Sequence, residues 1–149
     1  MAFLKSVHCL LVIVFVFSIA ACDQSPNATR GFRLPAGDVA HGAALFDELQ
    51  CLACHSVAGK DDGTIEKELP SSVPLGGKVA IAKTYADLLT SVINPSHHIS
   101  GRLPQELVQR NGESLMRNYN DIISVTELID LVTYLETLYQ LEVPEQTKH

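Results

Sequence analysis

The stretch Cys51-Leu52-Ala53-Cys54-His55 decides how the rest of the chain is read. Two thiols three residues apart on a helical turn face one way, and an imidazole follows at the next position. Of the four cysteines, Cys9 falls inside an apolar run near the start and Cys22 at its end, so Cys51 and Cys54 remain for the folded part. A chain of 149 residues suffices for one domain of ordinary size. With 46% hydrophobic and 19% charged residues and a mean hydropathy of +0.14, it is neither disordered nor a multi-pass membrane protein. Lys and Arg number 11 against 17 for Asp and Glu, a net charge of −6. An acidic chain has no electrostatic reason to hold nucleic acid.

The Cys-x-x-Cys-His spacing is that of c-type haem attachment. Each thiol can form a thioether to a haem vinyl group, and His55 offers its imidazole to the iron. Three other readings of the pair compete. A zinc site needs two more ligands, and His97-His98 are adjacent residues that cannot easily both reach one tetrahedral centre. A thioredoxin-like dithiol calls for a βαβ pattern, and none is readable. A disulfide between Cys51 and Cys54 closes only a tiny loop and contributes little. The expected cofactor is therefore one haem c with its iron, covalently attached, with Cys51, Cys54 and His55 as its first contacts. One such motif and no internal repeat mean one haem.

Residues 1–21 read as an export signal, with Lys5 as the positive start and Val7 to Ala20 as the apolar run. The run is too short to span a bilayer, which needs roughly 20 apolar residues. Ile19-Ala20-Ala21-Cys22 resembles the lipobox of bacterial lipoproteins, which implies a signal peptide over 1–21 and lipidation of Cys22 as the mature N-terminus. A plain secretory signal and an uncleaved anchor are the alternatives. Asp23 resembles the inner-membrane retention signal of enteric bacteria, which implies the periplasmic side of that membrane. Residues 22–37 are polar with Pro and Gly and read as a flexible tether.

The domain expected over 38–143 reads as helices and loops, with no strand alternation long enough for a sheet. Asp38 caps a helix from Val39 to about Gln50, with Val39, Gly42, Phe46 and Leu49 on one face. Gly42 costs ~1 kcal/mol relative to Ala in a helix, which close approach by another helix would offset. Residues 59–83 carry Gly, Pro, Asp and Ser and read mostly as loop. A second helix runs from Thr84 to about Ile93 and ends at Asn94-Pro95. Ser124 and Glu127 have capping-box spacing. A helix follows to about Leu141, with Val125, Leu128, Leu131, Val132, Leu135, Leu138 and Tyr139 in an apolar stripe and Thr126, Asp130, Thr133 and Thr137 opposite. Pro144 opens a polar tail over 144–149, and His41 reads as a surface helix residue.

In this order the elements from Asp38 to Leu141 resemble class I cytochrome c, the small monohaem electron carriers. Gly42 and Phe46 ahead of the Cys51 to His55 motif are similar to the family's first helix. Leu131-Val132-Thr133-Tyr134-Leu135 is similar to its last helix, with Tyr134 as the aromatic. The resemblance implies an all-α fold whose N- and C-terminal helices cross around one covalently bound haem. It also implies a Met ligand from a loop before the last helix. Met116 stands there, eight residues before Ser124, although Arg117 follows it where the family commonly has Pro. His97 or His98 is the alternative, since bis-His ligation is chemically reasonable. The resemblance further implies that a backbone carbonyl from a Pro-containing loop accepts from the second ring nitrogen of His55. Ser72-Val73-Pro74-Leu75-Gly76 resembles that loop, which names Pro74, with Pro70 competing.

A His plus a thioether closes both axial positions, and Met ligation raises the reduction potential. The expected protein is a membrane-tethered monohaem cytochrome that passes single electrons between redox protein partners in the bacterial envelope and has no catalytic residues. Two other classes remain: a haem enzyme or gas sensor with an open distal site, and an electron-entry subunit of a larger dehydrogenase or oxidase. The acidic balance favours basic partner surfaces, with steering that weakens in salt.

Overall fold

The computed structural model describes residues 34–60, 63–81 and 83–142. The expected signal over 1–21, Cys22, most of the 22–37 tether and the 144–149 tail lie outside the described residues. Among these residues, four helices make the frame: α1 (Val39–Glu48), α2 (Tyr85–Ile93), α3 (Gln105–Val108) and α4 (Val125–Thr137). No helix among them is long and apolar enough to cross a membrane.

Each of the three longer helices begins on a side-chain cap. Asp38 accepts from the N–H groups of Ala40 at 2.8 Å and His41 at 3.1 Å. Ser124 and Glu127 satisfy each other's backbone N–H, at 2.6 and 3.2 Å, and Thr84 and Asp87 do the same, at 3.0 and 3.1 Å. Those backbone N–H groups hold the Asp87 and Glu127 carboxyls below the usual carboxylate range.

The first and last helices cross at Gly42. A Cβ there would overlap the backbone carbonyl of Asp130 and lie 2.8 Å from Tyr134 Cβ, so only glycine permits the approach. Next to this crossing Phe46 meets Tyr134 edge to face, centroids 5.5 Å apart at 62°. Lys60 places its ammonium 5.4 and 5.5 Å from the two ring centroids. Phe46 and Val132 are essentially closed to solvent, at 1% and 0% exposure, and Leu88 and Val92 bring α2 into the same core.

Several sequence expectations are corrected here. The expected helical frame is present, and six strands of two or three residues, which the all-α reading lacks, join its helices. β1 (His55–Val57) pairs in parallel with β2 (Val73–Leu75), and β3 (Gly77–Val79) with β6 (Tyr139–Leu141); β4 (Gln109–Arg110) and β5 (Glu113–Ser114) form an antiparallel hairpin. None is long enough to show a readable alternation. The hairpin turns through Asn111 and Gly112, both at positive φ of 54° and 84°, as a two-residue Asn-Gly turn requires. The last helix stops at Thr137 rather than near Leu141, because Gly77 N–H bonds the Leu138 carbonyl at 2.8 Å and residues 139–141 turn to β3. Gly76, at φ 78°, makes room for this: a Cβ there would lie 2.8 Å from Leu138 Cβ. The first helix stops at Glu48 rather than near Gln50, and Gln50 itself takes the left-handed conformation.

The apolar stripes also shift. Val39 and Val125 are exposed, while Ile129 is buried. Asp130, read as part of the polar face, is only 6% exposed because the start of α1 lies across it. Its Oδ1 accepts from Asp38 N–H at 2.7 Å, and its Oδ2 lies 2.7 Å from His41 Nδ1. His41 is therefore a surface residue that also fastens the two helices. Residues 34–37, assigned to the tether, belong to the folded unit: Leu34 packs on the core, and a Cβ at Gly37 would lie 2.9 Å from the Ile129 carbonyl.

Candidate cofactor site

Cys51, Leu52 and Ala53 form a 3₁₀ turn closed by Cys54 N–H to the Cys51 carbonyl at 3.2 Å. In such a turn side chains three apart eclipse, which brings the two sulfurs to one side. Leu52 and Ala53 are buried and root the turn in the core, leaving both cysteines half-buried. The thiols are not joined to each other. Burial pushes the Cys51 thiol up to about 11 and also raises that of Cys54, with help from the Glu68 carboxylate. A site that disfavours thiolate suits neutral thioether sulfur and opposes the chemistry of a reactive dithiol. Among the described residues no group of three His, Cys, Asp or Glu side chains is placed to hold a metal ion.

His55 opens β1, and strand pairing sets it opposite Val73. Its Nδ1 lies 3.2 Å from the Val73 carbonyl. A carbonyl can only accept, so Nδ1 carries the proton and Nε2 keeps its lone pair. Burial lowers the His55 pKa, partly offset by this bond, and keeps the ring neutral as a ligand must be. The Pro74 expectation is corrected by one residue. Pro74 is exposed and stands opposite Ser56. Its influence runs through the chain, since a proline restricts the residue before it to extended backbone, and that aims the Val73 carbonyl. Pro70 is exposed and accepts nothing from His55.

These groups open onto a cavity of about 260 Å³ lined by Cys51, Cys54, His55 and Met116. Leu88 and Val92 of α2 and Leu131 and Leu135 of α4 give it apolar walls. Met116 reaches it from the loop after β5. Leu115 N–H bonds the Val108 carbonyl at 2.9 Å, and Met116 N–H bonds Ser114 Oγ at 3.2 Å. His98 lines the cavity from an exposed position, and His97, also exposed, is not among its lining residues. The structure thus brings Cys51, Cys54, His55 and Met116 to one cavity and leaves Pro74 outside it. Sequence reasoning missed Val73 as the acceptor, Glu68 and Arg117 at the rim, and the Asn111-Gly112 hairpin before Met116. For the hairpin the signal was present, since Asn-Gly is a strong two-residue turn pair.

The donor set suits a flat apolar macrocycle with a metal at its centre. Paired neutral sulfurs could be attached covalently, an oriented imidazole and a thioether could ligate the metal, and aliphatic side chains supply the walls. Comparison with known proteins gives the same answer from another direction. The family model for cytochrome c matches residues 39–139, from the first residue of α1 into β6. Neither a curated protein nor a solved structure matches the chain significantly. Because the matched span takes in both crossing helices, the cysteine pair and the whole cavity, the chain belongs to the cytochrome c family, carriers of electrons on covalently attached haem c.

Proposed function

We propose that the protein is a monohaem electron carrier tethered by an N-terminal lipid to the periplasmic side of a bacterial inner membrane. The observation that carries the electron-transfer part is the meeting of Cys51, Cys54, His55 and Met116 at one cavity. Haem c supplies a single-electron couple at its iron. Cys51 and Cys54 would hold the group by thioethers, His55 would ligate its iron through Nε2 with the ring steadied by the Val73 carbonyl, and Met116 would supply the other protein ligand. The aliphatic walls exclude water, and a thioether ligand raises the potential. With His55 and Met116 both bound to the iron, substrates would be kept from the metal, and the chain would pass electrons without catalytic residues of its own.

The tether rests on Ile19-Ala20-Ala21-Cys22. A lipid on Cys22 would keep the domain close to membrane-embedded donors and acceptors and raise their effective concentration. Cys22→Ala should leave the precursor uncleaved at this site. A normally processed variant, together with an unlipidated wild-type N-terminus by mass spectrometry, would make the protein a free exported carrier.

The test of ligation compares Met116→Ala with His97→Ala and His98→Ala. Met116→Ala should lose the weak long-wavelength sulfur-to-iron band of the ferric state and show a lower potential. A wild-type ferric spectrum that lacks this band, is unchanged in Met116→Ala and is altered in a histidine variant would move the assignment to that histidine.

A further inference from the structure

One charged pair joins segments that lie far apart in sequence. Glu68 N–H bonds the Ala53 carbonyl at 2.9 Å, and the neighbouring Lys67 ammonium bonds the Leu52 carbonyl at 2.8 Å. Both bonds fasten Glu68 to the 3₁₀ turn that carries the cysteines. Arg117 follows Met116 directly, in the loop between β5 and α4. Its Nη2 donates to Glu68 Oε1, across 49 residues of sequence. Glu68, Cys54, Met116 and Arg117 all line the cavity. One carboxylate therefore ties the cysteine-bearing turn to the residue next to Met116.

We propose that the Glu68–Arg117 pair is a strap that holds the Met116 loop closed over the cavity and sets how readily an outside ligand displaces Met116. The proposal rests on the reading of Met116 as an iron ligand. Both residues act as positioning residues, through the loop.

The chemistry of attachment favours the strap. In the bare chain the Cys54 thiol also points at Glu68, with Sγ 3.8 Å from Oε2. A thioether has no S–H, so that contact ends on attachment and the carboxylate is left facing the guanidinium. The two side chains are 57% and 42% exposed, and an exposed pair adds little to global stability. Its leverage is local. Swinging Met116 away breaks the pair while the α1–α4 crossing stays intact, and such local openings lie well below global unfolding in free energy. A change in the open population changes the apparent affinity of an incoming ligand by the same factor.

The experiment titrates the ferric holoprotein with imidazole at low and high ionic strength, for wild type, Glu68→Gln, Arg117→Gln and Arg117→Lys. The two glutamine variants should bind imidazole about two- to five-fold tighter at low salt, the range an exposed pair supports. Wild type should approach them as salt screens the pair, while the variants stay flat. Arg117→Lys, which keeps the charge, should recover most of the wild-type behaviour. Glutamine variants that bind imidazole as wild type does at low salt overturn the strap, as does Arg117→Lys behaving like Arg117→Gln. A lowered thermal midpoint with unchanged imidazole affinity also overturns it, by assigning the pair to stability alone. The underlying reading fails differently: a wild-type ferric spectrum without the sulfur-to-iron band, and Met116→Ala binding imidazole no better than wild type, removes Met116 as ligand and the strap with it.

Discussion

Gly42 rests against the backbone carbonyl of Asp130 with no room for a side chain between them. This approach brings Phe46 onto Tyr134 and sets the crossing of α1 and α4. Gly42→Ala improves helix propensity by ~1 kcal/mol, yet the added methyl would meet backbone, which cannot rotate away. Overpacking of this kind costs about 1–3 kcal/mol. The variant should be less stable in chemical denaturation despite its better helix former; equal or greater stability would mean the helices can separate freely.

Asp130 makes the same crossing pH-dependent. The Asp38 N–H, and then His41, hold its carboxyl below 3.8, and the bond to Asp130 holds His41 above 6.5. Asp130 thus stabilises the fold above about 3.8, and that contribution fades as pH falls through its lower folded value. His41 contributes fully below 6.5, and loses its share as pH rises through its higher folded value. The difference in melting temperature between wild type and His41→Ala should be largest between about pH 3.8 and 6.5, where Asp130 is ionised and His41 charged, and should shrink in strong acid and in alkali. A difference that grows as pH rises above 6.5 would reverse the assignment.

Attachment should need both sulfurs. Acid-acetone extraction of the mature protein is expected to leave the haem with the polypeptide. Cys51→Ser is expected to retain at most one thioether and to accumulate little holoprotein, because a covalently held haem would complete the apolar core that Leu88, Val92, Leu131 and Leu135 line. Release of free haem from wild type on extraction contradicts this.

The hairpin before Met116 should resist β-branched residues at its turn. Asn111 sits at φ 54°, where side chains without a local hydrogen-bonding group are strained by about 1–2 kcal/mol. Asn111→Val should lower the thermal midpoint and, by loosening β4 and β5, open the Met116 loop to imidazole. Asn111→Gly should not. Equal behaviour of the two variants would separate the hairpin from the loop it precedes.

What was legible in the sequence was local. Asp38, Thr84 and Ser124 sit at helix starts because their side chains cap the next turn, and Cys51 to His55 carry their chemistry in their spacing. Gly42 was legible as a costly residue in search of a close neighbour. What escaped depends on partners distant in sequence. Asp130 reads as polar surface until the start of α1 covers it. The last helix reads on to Leu141 until Gly76 and Gly77 take up its end. The acceptor for His55 reads as a proline because Pro74 is the visible residue, whereas the hydrogen bond comes from the backbone that Pro74 constrains. Glu68 and Arg117 are ordinary charges in sequence and meet only when the two loops fold onto one cavity.

Ligation of one haem iron by both His55 and Met116 is what would make the protein a carrier of electrons with a closed metal site. The optical spectrum of the reduced mature protein, recorded with and without carbon monoxide, tests it most directly. Wild type should show a six-coordinate low-spin spectrum that carbon monoxide leaves unchanged, and Met116→Ala one that carbon monoxide alters. A wild-type spectrum that shifts on adding carbon monoxide would contradict it and place the protein among haem enzymes or gas sensors with an open site.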